Sequence, residues 1–131
     1  FPIQTAMTII LETEIYVQYS QLGLVDVEDK TSYPQWVTGQ EFSIFEEKGI
    51  VVATENDIKV KVIISSDTSE TNGSLIDTGT IQIGTKGFMV GNIVTNDLHK
   101  VNWPPGEITV NVYADEPGKA RSVEFFLRQA N

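Results

Sequence analysis

The chain has 131 residues, enough for one domain with its own hydrophobic core and too few for two. It has no cysteine and a single histidine, which excludes disulfides, thiolate zinc sites, iron–sulfur clusters and cysteine nucleophiles. Eighteen acidic residues against nine basic ones leave a net charge of −9. That balance argues against a nucleic-acid-binding surface, which needs a basic patch, and for a cationic protein or a metal ion as partner.

Residues 1–6 carry no positive charge and no long apolar run, so they do not read as a signal peptide. Met7 reads as the natural start and residues 1–6 as an expression-vector remnant, with a trimmed natural N-terminus as the alternative; residues 7–131 then form a single domain. No apolar run reaches the roughly eighteen residues of a membrane span. The lack of cysteine fits a cytoplasmic protein, or one at the cytoplasmic face of the membrane with its partner.

Beta-type patterning dominates from the first residues. Thr8 to Leu11 is a short apolar run. In the stretch that follows, Ile15, Val17 and Tyr19 fall on one face of a strand. Leu22 to Val27 continues as strand, and the polar segment up to Pro34 reads as a loop. The spacing predicts one short helix over residues 39–48, with Phe42 and Phe45 three apart, Glu41, Glu46 and Glu47 toward solvent, and Gly49 as its C-terminal cap. Residues 50–53 form a strand, and the turn at 54–57 holds an Asn-Asp pair suited to positive φ. Ile58, Val60, Val62 and Ile64 alternate with Lys59 and Lys61, the mark of a half-buried strand. Further strands follow at 80–83, 88–95, 98–103, 107–113 and 121–127. They are punctuated by Gly84-Thr85-Lys86-Gly87, read as a hairpin turn, and by Pro104-Pro105-Gly106 and Asp115-Glu116-Pro117-Gly118. About eight to ten short strands at this spacing predict an all-β antiparallel sandwich with one short helix.

Candidate chemistry is sparse. Asp97 and His99 share a strand face, but no G-x-S-x-G motif supplies a serine nucleophile. The carboxylate clusters Asp26/Glu28/Asp29, Glu46/Glu47, Glu55/Asp57 and Asp115/Glu116 lie in or next to turns, where solvated acids are ordinary, and no spacing selects a glycosidase pair. The loop 67–73 offers alternating oxygen ligands and a glycine, yet its twelfth position is Thr78 and not the glutamate of an EF-hand. No metal site and no cofactor is expected. Tyr33 and Trp36 flank Pro34 within acidic sequence. An aromatic anchor ringed by carboxylates suits a basic protein partner, whereas Trp36 could equally close the end of the sandwich.

Several segments occur in a familiar order: Tyr19-Ser20-Gln21-Leu22, Trp36-Val37-Thr38, Glu47-Lys48-Gly49 followed by the strand at 50–53, the strand at 58–64, and Leu98 to Tyr113 with Pro105-Gly106 between two strands. In this order the chain resembles the competence protein J family, inhibitors of the DNA-entry nuclease of competent bacilli. The resemblance implies a non-enzymatic inhibitor that binds a secreted or membrane-associated nuclease, and implies no individual inhibitory residues. From the residues themselves, Asp26, Glu28, Asp29, Glu41, Glu46 and Glu47 are the candidate acidic contacts and Tyr33 and Trp36 the candidate anchors. The alternative is a ligand-binding β-sandwich for carbohydrate or calcium, with Trp36 or Trp103 as a stacking platform. An enzyme with an unrecognised carboxylate pair is the third reading.

Overall fold

The computed structural model describes residues 8–28, 34, 36–38, 41–66 and 73–129. The expectations for residues 1–6, Asp29 and Tyr33 lie outside these. Ten strands build two five-stranded sheets. They are β1 (Thr8–Val17), β2 (Gln21–Asp26), β3 (Ser43–Glu46), β4 (Gly49–Ala53), β5 (Ile58–Ser66), β6 (Ser74–Ile83), β7 (Phe88–Asn92), β8 (Asp97–Val101), β9 (Gly106–Ala114) and β10 (Ser122–Gln129). The first sheet runs β1-β5-β10-β9-β6 and the second β3-β4-β2-β7-β8. Every pairing is antiparallel except β10 against β5, which is parallel. The first sheet is therefore mixed. β1 already holds one edge of β5, so the β9–β10 hairpin docks on the other edge, and its direction there is parallel.

Alternation is clearest in the first sheet, on β5 and β9. Val60, Val62 and Ile64 are buried while Lys59 and Lys61 face solvent, and Ile108, Val110 and Val112 do the same on β9. The second sheet does not alternate: every residue of β4 and β7 is buried. Its inner face joins the main core with Leu22, Leu24, Ile50, Val52, Phe88 and Val90. Its outer face carries a small separate cluster of Val25, Val51 and Met89, against which Val27, Trp36, Ile44 and Leu98 pack.

This double burial explains the main correction to the sequence reading. Among the described residues no helix occurs, and the segment expected to be helical forms the β3–β4 hairpin, turning at Glu47 and Lys48. Neighbouring strand residues point to opposite faces. Ile44 drops into the outer cluster while Phe45 packs on the inner core. With both faces apolar, the period of two disappears, and the three-residue spacing of Phe42 and Phe45 imitates a helix. Phe42 itself is half exposed, and Gly49 is the first residue of β4 and not a cap.

One turn also differs from expectation. Gly84 to Gly87 carries the chain from β6 to β7, so it connects the two sheets and does not close a hairpin; residues 102–105 likewise link the sheets, from β8 to β9. Gly87 has φ +82°, and a β-carbon there would lie 2.3 Å from the Val101 carbonyl oxygen, which only glycine avoids. The strand expected to continue through Tyr19 ends at Val17, and Tyr19 and Ser20 turn the chain into the second sheet. Asp57 adopts the expected left-handed conformation at φ +59°.

Polar seams fasten the sheets together along both sides. On one side, Asp97 Oδ2 accepts from Tyr16 N at 2.8 Å, and Thr95 Oγ1 donates to Tyr16 O at 2.8 Å. The buried Asn92 donates from Nδ2 to Gln18 O at 2.9 Å and to Gln21 O at 2.7 Å, and its Oδ1 accepts from Thr95 N at 2.9 Å. On the other side, Ser43 Oγ donates to Asp77 Oδ2 at 2.7 Å and Gln82 N to Glu47 O at 2.7 Å. Phe45 lies so close over Gly79 that a β-carbon would come within 2.5 Å of the ring.

Because Asn92 satisfies two carbonyls in a buried setting, Asn92→Ala leaves both without a donor and should cost about 2–3 kcal/mol. Urea denaturation should show a lower midpoint with an unchanged slope.

Candidate functional site

One end of the sandwich gathers the close of β2, the β3–β4 turn, the β6–β7 turn and the start of β9. Backbone bonds assemble it: Asp26 N donates to Lys48 O at 2.9 Å, Val27 N to Gly87 O at 3.2 Å, and Gln82 N to Glu47 O. The carboxylates brought together are Asp26, Glu28, Glu46, Glu47 and Glu107. They do not share one role. Asp26 is 3% exposed, and its Oδ1 accepts from Gly84 N at 3.3 Å. Its acid is spent on holding the β6–β7 turn. Glu28 is exposed and accepts from Thr85 Oγ1 at 3.2 Å. Glu46 and Glu47 are exposed at the hairpin tip, and Glu107 is exposed beside them, accepting from Gln82 Nε2 at 3.1 Å. The ion contacts Lys61–Glu12, Arg121–Glu55 and His99–Asp97 lie elsewhere. Glu107 escapes sequence reasoning because it stands alone in the chain, and only the β6–β9 pairing places it opposite Gln82.

Glu41 points inward to its own loop. Its carboxylate accepts from Thr38 N at 2.9 Å, Val37 N at 3.1 Å and Thr38 Oγ1 at 3.0 Å. The Thr38 amide is the largest cause that lowers its pKa from the ordinary value to about 2. Trp36 is half-buried and packs on the outer cluster of the second sheet. Pro34, two residues earlier, is buried.

The remaining candidates have structural uses. His99 Nε2 lies 3.1 Å from Asp97 Oδ1, as their shared strand face predicts, and the other oxygen of Asp97 is the one bound to Tyr16 N. The pair therefore sits on the seam between the sheets. The oxygen-rich loop 67–73 lies outside the described residues apart from Gly73, and among the described residues no group of three acids or histidines is placed to hold a metal. An open cleft of about 580 Å³ is lined by Lys86, Lys100, Trp103, Pro104 and Pro105. Trp103 is half-buried there, its ring 6.3 Å from that of Phe88 and tilted by 56°. Among the described residues no helix is long and apolar enough to cross a membrane.

No protein-family model matches the chain, and no curated protein matches it in sequence. Two solved structures do share its fold. The crystal structure of ComJ from Bacillus subtilis, inhibitor of the DNA-degrading activity of NucA, superposes with a TM-score of 0.72 at 11% identity, covering 95% of this chain and 98% of that one. The product of crocagin biosynthetic gene J superposes with a TM-score of 0.62 at 9% identity, covering 97% and 100%. The resemblance to the competence protein J family drawn from the order of sequence features is thus met at the level of the fold.

Glu41 generates a pH prediction. Its folded pKa lies below its unfolded value, so its contribution is complete above about pH 4.5 and is lost as the pH falls toward about 2. A side-chain carboxyl titration followed by NMR should place the Glu41 midpoint near 2, well below that of an ordinary glutamate. Glu41→Gln should speed hydrogen exchange at the Thr38 amide while leaving the strands protected.

Proposed function

We propose that this chain is a non-enzymatic inhibitor of a nuclease and binds the basic DNA-gripping cleft of that enzyme. The observation that carries the reading is the acidic end of the sandwich, where Glu28, Glu46, Glu47 and Glu107 are exposed and take no part in the ion contacts described above. Carboxylates presented this way imitate the phosphate charge that such a cleft evolved to hold. Asp29, Tyr33 and Trp36 are included in the proposed contact on the strength of the sequence, Asp29 and Tyr33 lying outside the described residues. Asp26 supports it from behind through Gly84.

The shared fold with ComJ supplies the class of partner, although a fold alone does not fix a function. The physical logic is independent of that likeness. A scaffold whose sheets are joined along both sides loses little entropy on docking, and opposite charges accelerate encounter. A cysteine-free chain suits action in a reducing compartment or at its membrane boundary.

The decisive experiment immobilises the protein, passes an extract of the source cells over it, and assays the retained fraction for plasmid degradation. A nuclease that is retained, and then inhibited stoichiometrically by added protein, supports the reading. Absence of any retained or inhibited nuclease defeats it.

The double charge reversal Glu46→Lys/Glu47→Lys should slow association at low salt by about tenfold or more and affect dissociation much less. Folding stability should stay within about 0.5 kcal/mol of the original, because both side chains are exposed. Stopped-flow association across a salt series measures both effects; an unchanged association rate would remove these two residues from the contact.

A further inference from the structure

At the end of the sandwich opposite Glu46 and Glu47, three connections lie side by side. The turn at Gln18–Ser20 is central. Asn92 and Thr95 fasten the β7–β8 turn to one flank of it, through bonds to Gln18 O, Gln21 O and Tyr16 O. The β4–β5 turn is fastened to the other flank, with Thr54 N donating to Ser20 O at 3.0 Å and Asp57 N to Val17 O at 3.1 Å.

Tyr19 and Ser20 both hold left-handed backbone, at φ +59° and +55°. A β-carbon makes this conformation costly, and tyrosine lacks the short polar side chain that lets Asn and Asp tolerate it. Glycine would turn the chain with less strain. What tyrosine adds is an aromatic ring, 71% exposed, on a backbone whose neighbours hold it in place. Strain of this kind collects at sites of recognition.

The ring lines a cleft of about 250 Å³ together with Gln18, Asn56 and Asp57. The Asp57 carboxylate accepts from the Tyr16 hydroxyl through Oδ1. That bond raises the Tyr16 phenol above its ordinary value near 10, so the hydroxyl stays a donor at neutral pH. Asp57 has no lysine or arginine partner among the described residues, whereas nearby Glu55 is paired with Arg121 at 3.8 Å.

We propose that the cleft between Tyr19 and Asp57 receives an arginine or lysine side chain of a protein partner. The face of a tyrosine ring attracts a cation, and a carboxylate beside it completes a charge-assisted bond. Gln18 and Asn56 add amide oxygens as acceptors. The net charge of −9 draws basic surfaces toward the molecule from a distance. This is a second contact surface, remote from the acidic end, and it stands without the nuclease reading.

The test titrates isotope-labelled full-length protein with the peptide acetyl-Gly-Arg-Gly-amide and, separately, with its citrulline counterpart, which is nearly the same size but uncharged. NMR shift changes should centre on Gln18, Tyr19, Asn56 and Asp57, and arginine should bind about fivefold tighter than citrulline or better. Tyr19→Phe should keep the binding. Tyr19→Gly and Asp57→Asn should each weaken it by about fivefold or more without lowering the melting temperature, since glycine and asparagine both suit positive φ. Equal binding of citrulline, shifts spread over Glu28, Glu46 and Glu47, or full binding by Tyr19→Gly would overturn the proposal. Failure to retain a nuclease from the extract leaves this result untouched, so the two ideas fall separately.

Discussion

The second sheet is buried on both faces, and much of the molecule follows from that. One face meets the first sheet across the main core, while the other holds Val25, Val51 and Met89 under Trp36, Ile44 and their neighbours. A sheet covered twice has no broad free face to offer a partner. Trp36 packs, half-buried, on the apolar patch of that outer face. At the two ends of the sandwich, turns carry charged and exposed side chains.

Those ends are held by different means. At the acidic end the backbone does most of the work, with carbonyls of Lys48, Glu47 and Gly87 accepting amides from segments far away in sequence. Asp26 is the one carboxylate there drawn into the interior. At the other end side chains join the backbone bonds: Asn92, Thr95 and Asp97 each bond to the backbone at Tyr16, Gln18 or Gln21. A buried amide and a half-buried carboxylate in these positions give direction as well as energy, since they accept only one placement of the turn. The consequence is that the turn carrying the exposed Tyr19 is bonded to the connections on both its flanks.

The acidic residues divide along the same line. Sequence clustering treats Asp26, Glu28, Glu41, Glu46 and Glu47 alike, yet three environments separate them. Burial claims Asp26, local amides claim Glu41, and solvent keeps Glu28, Glu46 and Glu47. Glu107 joins the last group from a different part of the chain. The shared fold with ComJ is compatible with an inhibitor, and the partition of carboxylates gives that reading definite residues to test.

By itself the sequence determined the fold class and the position of most strands. Alternation on β5 and β9, the turn residues at Asp57 and Gly118, and the even spacing of strands are local properties that a period of two records directly. The order of features was enough to point to the competence protein J fold. Tertiary structure decided the rest, because it depends on which faces are covered and which strands are neighbours. The apparent helix became β3 once both its faces met apolar partners, and the Gly84–Gly87 turn, read as a hairpin, became a link between sheets. Tyr19 passed from a strand face to an exposed turn. A one-dimensional pattern registers that a residue is apolar or charged; only the packing of distant segments determines whether that residue serves the interior or the surface.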